Sequence, residues 1–304
     1  MWAGTAAPPL PRRCRIPTPS SGKTVGDDGI NGLAAFSLAG GDRILVGAVM
    51  TGYIFVANVT DPTNVVPIGS FRDAELLPKI FDVDVFRSPV DGDFYAVAVC
   101  PEGGESAVLA SLRLTVGGGT ALLPVASFAV VGHIPSHQPP RRGLHSDAGE
   151  NGEGWTFRGC NRVRVRTGAD GTVAAYFSCF GSGSVVVATA NLTGGSAPVL
   201  THVAPFPPTQ PTGMLVVGSA LFVAGGRAIL AYNVTDPLTP LTPVATCGDD
   251  ACGAVMRFDG QNAHGVAHVR LGDGTHVLFP TAQIGNDVGA IAVRNPALAA
   301  LMNQ

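Results

Sequence analysis

Asn58-Val59-Thr60-Asp61-Pro62 and Asn233-Val234-Thr235-Asp236-Pro237 are the same pentapeptide, and each closes an apolar run. Ile44-Leu45-Val46-Gly47 and Tyr53-Ile54-Phe55-Val56-Ala57 precede the first copy, and Val65-Val66-Pro67-Ile68-Gly69-Ser70-Phe71 follows it. Leu221-Phe222-Val223-Ala224 and Ala228-Ile229-Leu230-Ala231-Tyr232 precede the second, and Leu241-Thr242-Pro243-Val244-Ala245 follows. Two strands, an Asp-Pro turn and a third strand return in the same order. Units of this kind cannot bury both faces alone, and radial stacking of copies gives a β-propeller.

Three further units lie outward from these two. One holds Ile80–Phe86, Phe94–Val99, Ala107–Leu112 and Leu123–Phe128. Another pairs Asn161–Val165 with Val173–Phe177, Val185–Ala188 and Val199–Val203, and the last runs from His264-Gly265-Val266 through His276–Phe279 to Gly289–Pro296. In that last unit Asn295-Pro296 stands in for the Asp-Pro turn, and an outer strand is missing. The expectation is an all-β propeller of four-stranded blades, five in number, or else a fragment of a larger propeller. Arg13-Cys14-Arg15-Ile16-Pro17 is the candidate for a strand that closes the ring. Val56, Val97, Val187, Leu230 and Ile291 fall at equivalent middle-strand places and are expected in the core. Residues 1–29 read as a Pro-, Gly- and Ser-rich leader, and 30–304 as the propeller domain, with an inserted loop at 132–155. Only Pro296–Met302 tolerates a helical pattern.

Composition narrows the function classes. The 304 residues are 46% hydrophobic and 13% charged, with 40 Gly and 24 Pro, which suits short strands and tight turns. A formal charge of -3 offers no positive field for nucleic acid. No apolar run approaches the about 18 residues of a membrane span, and the opening Met1–Pro9 is too short and Pro-broken for a signal peptide core. Six cysteines make an even set. Cys160 with Cys179, on neighbouring strands, and Cys247 with Cys252, across a turn, are the expected disulfides; the alternative is buried free thiols.

The strand pairs that end in Asn-Val-Thr-Asp-Pro and continue into Val-Pro-Ile-Gly-Ser-Phe resemble the LVIVD repeat. The match is good in the units carrying the pentapeptide and partial elsewhere, where Thr115-Val116-Gly117, Thr193-Gly194-Gly195 and Asn295-Pro296 replace the turn. The resemblance implies a β-propeller, often on secreted or surface proteins, and no enzymatic activity by itself.

Residues just ahead of each inner strand ring one mouth of a propeller's channel. Alignment of the units puts Asn31, Asp82, Asn161, Thr212 and His264 in that ring, where polar groups could hold a small polar ligand or a cation, or merely cap strand ends over channel water. No other cofactor is expected. His133, His137, Arg141, Arg142, His145 and Asp147 are the contact residues of the inserted loop. His264 and His268, four apart on a strand, lie about 13 Å from each other, too far to share one ion. A glycosidase would need a second carboxylate opposite Asp82, and only Asp84, on the same face, is near. Asn58, Asn191 and Asn233 open Asn-x-Thr sequons, which turn chemistry alone would also select. These residues lead to the expectation of a monomeric, secreted or extracellular, non-enzymatic binding or scaffold propeller. Its partner would be a protein or small polar ligand; the alternative is a hydrolase-type enzyme with its site in the central channel.

Overall fold

The computed structural model describes residues 29–75, 77–100, 107–116, 124–134, 160–168, 170–179, 183–193, 199–205, 211–225, 228–236, 239–241, 243–247, 261–284 and 289–304. The two pentapeptides do the same local work within it. Asn58 Oδ1 accepts from the Thr60 N–H and Asn233 Oδ1 from the Thr235 N–H, each at 2.9 Å. Asp61 Oδ1 accepts in turn from the Thr63 N–H at 2.8 Å. Side chains that bond the backbone two residues on offer the chain an alternative to the sheet ladder, so the strand stops there.

Five antiparallel sheets follow in chain order. Blade 1 is β1 (Ile30–Ser37), β2 (Arg43–Val49), β3 (Tyr53–Asn58) and β4 (Val66–Arg72). Blade 2 is β5 (Asp82–Arg87), β6 (Phe94–Val99), β7 (Ala107–Val116) and β8 (Pro124–Ile134). Blade 3 is β9 (Cys160–Thr167), β10 (Thr172–Cys179), β11 (Ser184–Asn191) and β12 (Val199–Pro205). Blade 4 is β13 (Pro211–Val217), β14 (Ala220–Gly225), β15 (Ala228–Asn233) and β16 (Pro243–Cys247). Blade 5 is β17 (Gln261–Arg270), β18 (His276–Ile284) and β19 (Ile291–Ala292), followed by the helix α1 (Pro296–Met302). The fold is the expected propeller of five blades. β8 runs on through His133 to Ile134, so the segment expected as a loop from 132 opens as strand. His137, Arg141, Arg142, His145 and Asp147 lie outside the described residues, as does the candidate closing strand.

The core lies between blades rather than within them. Strand side chains alternate, so a middle strand apolar at every position buries a row on each side. On β6, Ala96 and Ala98 join Ile44, Val46, Ile54 and Val56 of blade 1, while Val97 and Val99 join Val163, Phe177 and Val186 of blade 3. Tyr176, Val185 and Val187 then meet Met214, Leu221, Val223 and Tyr232 of blade 4. Ala220, Phe222 and Ile229 meet Leu278 and Ile291 of blade 5. All five residues expected at the core are buried, from 0% exposure at Val56 and Val187 to 6% at Leu230.

Blade 5 ends differently from the others. Asn295 does what Asp61 does, its Oδ1 accepting from the Ala297 N–H at 3.0 Å, but here it also accepts from the Leu298 N–H at 3.1 Å and so caps a helix, with Pro296 in its first turn. Where another blade sends out a strand, α1 turns back, and Leu298 and Met302 bury against Ala220 and Phe222 of blade 4. Gly218 admits that approach. Its φ is +59° and a Cβ there would stand 2.5 Å from Leu301 O. No helix among the described residues is long and apolar enough to cross a membrane.

Candidate functional site

Inner strands lie side by side in the order β1, β5, β9, β13, β17. In four of them two residues oppose one position of the second strand, which leaves Asn31, Asn161, Thr212 and His264 as the extra residue of a β-bulge. In blade 2 Asp82 is itself in register, opposite Val99, and the Phe81 N–H just ahead of it also donates to Val99 O at 3.0 Å. Bulges at a barrel or channel rim re-aim side chains. Asp82 thus stands in register, where Asn31, Asn161, Thr212 and His264 are the extra residues of bulges.

That offset changes what Asp82 does. The expectation of a carboxylate facing channel water is corrected: Asp82 is 1% exposed and wedged between inner strands. A Cβ on Gly32 of β1 would lie 2.6 Å from Asp82 Cα, so only glycine lets β1 come this close. On the other side, Asp82 Oδ2 accepts from the Val163 N–H of β9 at 3.1 Å and from Arg164 Nη1 at 2.7 Å. Arg164 donates to Val163 O as well. Two residues on, Asp84 repeats the contact: its Oδ2 accepts from the Val165 N–H at 2.8 Å and its Oδ1 from the Val85 N–H at 3.0 Å. β9 pairs through its other edge with β10, so these donors would be orphaned without the carboxylates of β5.

The two carboxylates differ in surroundings. Asp82 holds an ion pair with Arg164. Burial pushes the Asp84 carboxyl up to about 6, against the pull of Arg164 and of the Val165 and Val85 N–H groups. An aspartate there passes between acid and base near neutral pH. β9 also brings three cations in the alternating run Arg162-Val163-Arg164-Val165-Arg166, a signal present in the sequence. Arg166 spans to blade 4, where it donates to Thr235 O at 3.0 Å and Ser219 Oγ at 2.9 Å. Burial lowers the pKa of Arg162, whose hydrogen bond among the described residues goes to Asn161 O at 3.1 Å.

The remaining expected residues scatter. Thr212, 5% exposed, donates to Ala224 O at 3.3 Å. His264 lies at its bulge on β17, and His133 on β8 faces Val108 in register. His268 pairs with His276 across the strand, Nε2 to Nδ1 at 2.9 Å, and His276 Nε2 lies 3.2 Å from Asn303 Oδ1. Among the described residues no three His, Cys, Asp or Glu side chains converge. Cys160 and Cys179 are disulfide-bonded, with Cα atoms 3.7 Å apart, which pins the start of β9 beside the Asn161 bulge. Cys252 lies outside the described residues. Of the sequons, Asn58 is buried and its Nδ2 donates to Asp42 Oδ1 at 3.3 Å, while Asn191 and Asn233 are exposed.

No family model matches the chain, and no curated protein matches it in sequence. Among solved structures it is similar to a mutant alpha-L-arabinofuranosidase from Fusarium graminearum in complex with an iminosugar inhibitor. That likeness has 11% identity and a TM-score of 0.52, over 88% of this chain and 81% of the other. It is similar also to an exo-beta-1,3-galactanase from Phanerochaete chrysosporium with galactose, at 9% identity and a TM-score of 0.49, over 90% of this chain. A third is a GH43 beta-1,3-galactosidase with galactodeoxynojirimycin, at 12% identity and a TM-score of 0.47, over 90% of this chain and 91% of the other. The chain spans 61% of the galactanase's length. Identities this low carry the fold alone, a five-bladed propeller. The named arabinofuranosidase is a glycoside hydrolase, and on that finding the expectation of a non-enzymatic binding or scaffold propeller is corrected.

Proposed function

We propose that the chain is a hydrolase-type enzyme acting on glycosides, with its chemistry at the inner-strand carboxylates of blade 2. One observation carries the reading: Asp84, held by two backbone N–H groups in the wall between blades 2 and 3, has a carboxyl pushed up to about 6 by burial. A group poised near the operating pH is what general acid catalysis at a leaving oxygen requires. Asp82 supplies fixed negative charge one pleat away, on the same strand face and about 7 Å along it, and Arg164 holds it in place. Similarity of fold to propellers solved with galactose and iminosugars supports the substrate class. The Cys160–Cys179 disulfide supports secretion, since such bonds persist in oxidising compartments.

The test is hydrolysis of nitrophenyl arabinofuranosides and galactosides by the purified chain, with Asp84→Asn as control. Acting as the acid, Asp84 must be protonated, so kcat falls as pH rises through about 6. Asp84→Asn lowers kcat by about 10²- to 10⁴-fold. A wild-type chain that cleaves none of these glycosides, or a variant as fast as wild type, removes the reading.

A further inference from the structure

The two identical pentapeptides end their strands alike and leave their side chains in opposite states. Asn58 and Asn233 close β3 and β15, which run from the bulged mouth to the rim opposite it. Ile30, Val49 and Tyr53 stand abreast beside the Asn31 bulge, as Pro211, Gly225 and Ala228 do beside Thr212. In blade 1, Asp42 occupies both polar groups of the Asn-x-Thr sequon. Its Oδ1 accepts from Asn58 Nδ2 at 3.3 Å and from Thr60 Oγ1 at 3.2 Å, and Thr60 Oγ1 itself accepts from the Arg43 N–H at 2.8 Å. Asn58 is only 8% exposed, which leaves no space beside its amide.

Blade 4 removes each of those partners. Ile44 faces Asn58 in register and Ala220 faces Asn233, so the counterpart of Asp42 is Gly218, which has no carboxylate. The counterpart of Arg43 is Ser219, whose N–H goes to Leu301 O of α1 at 2.8 Å instead of to the threonine hydroxyl. Both exchanges trace to α1, whose last turn requires Gly218 beneath it and supplies Leu301 O. Thr235 Oγ1 keeps Gln304 Oε1, at 3.4 Å, and among the described residues Asn233 Nδ2 meets no acceptor. Asn233 and Thr235 are both exposed.

We propose that Asn233 carries an N-linked glycan and that Asn58, in the same pentapeptide, does not. In the transfer, Asn233 Nδ2 bonds to the anomeric carbon of a lipid-linked oligosaccharyl pyrophosphate. The C–O bond to the pyrophosphate breaks and leaves its electron pair on that group, and the amide gives one proton to a base of the transferase. At Asn58 a sugar displaces the Asp42 contact from a buried place, so a chain modified there does not complete blade 1. The proposal goes beyond the hydrolase reading and does not depend on it. It requires passage through the oxidising compartment to which the Cys160–Cys179 bridge points. A bulky, solvated glycan on this rim holds that end of the ring in water and leaves the bulged mouth as the face open to a ligand.

Site occupancy in the full chain, secreted behind a cleavable signal peptide from a eukaryotic host, tests this. Release of glycans by peptide N-glycosidase in heavy-oxygen water turns each occupied Asn into labelled Asp, which mass spectrometry of peptides reports one site at a time. Label at Asn233 and none at Asn58 is expected. Thr235→Ala should abolish the Asn233 label and Thr235→Ser keep it, neither disturbing the fold, because that hydroxyl touches the exposed Gln304. The folded chain purified from bacterial cytoplasm gives a second reading without secretion: a soluble asparagine glucosyltransferase with UDP-glucose should add hexose to Asn233 and leave Asn58 bare. An unmodified Asn233, or equal modification of Asn58 in the folded protein, overturns the proposal. A glycosylated chain that hydrolyses no glycoside defeats the hydrolase reading and leaves this one standing.

Discussion

Asp84 is a residue whose two possible roles predict opposite effects on stability. A carboxylate that merely latched β5 to β9 would stabilise the fold when ionised. Instead its folded-state pKa of about 6 lies above the ordinary 3.8, so the unfolded chain releases the proton first as pH rises. Stability from this group is therefore full below about pH 4 and declines as pH climbs to about 6, by an amount on the order of 1–3 kcal/mol. Asp84→Asn should flatten that decline and leave the protein no less stable at pH 7, as urea titrations at a series of pH values would show. Asp82 behaves otherwise. Asp82→Asn leaves Arg164 without its counter-charge in a mostly buried place and should cost about 3 kcal/mol by the same titration. The sequence pointed to Asp82 because it stands at the blade-equivalent position. It could not show that Asp82 stands in register where its counterparts bulge, with its side chain buried between inner strands.

At the scale of the element, the strands could be read because each is delimited by chemistry local to it: an Asn or Asp that bonds the backbone two residues on, or a glycine at a hairpin. Both the strand pairs and the helix at Pro296–Met302 follow from such signals. What α1 packs on does not, because Ala220 and Phe222 are distant in sequence and become its partners only when blade 5 has formed. A chain ending at Asn295 should expose that surface and the Ser219 N–H that Leu301 O now accepts, lowering the melting temperature and raising binding of a hydrophobic dye. The Cys160–Cys179 bridge closes a loop with a sequence separation of 19, and its reduction should cost about 3 kcal/mol by loop entropy. Guanidinium titrations with and without reductant measure this, and coincident curves would count against it.

For the whole molecule, stability resides in layers that no blade owns. Leu230→Ala in the layer between blades 3 and 4 should cost about 2 to 5 kcal/mol, read as a shift of the denaturant midpoint. The architecture was legible from two pentapeptides because repetition reports on stacking directly. The site was not, because it arises where different blades meet and depends on register between them. Among the described residues blades 2, 3 and 4 each share a layer on both sides, whereas blade 1 shares one with blade 2 and blade 5 one with blade 4. Under a pulling force or on heating, such a series gives way from its less embedded ends inward, and each departing blade strips one face from the next. Amide exchange should therefore be slowest along β10 and fastest along β19. The wall bearing Asp82, Asp84 and Arg164 lies between blades 2 and 3, so on that order it would outlast the first blade lost and vanish with the structure around β9.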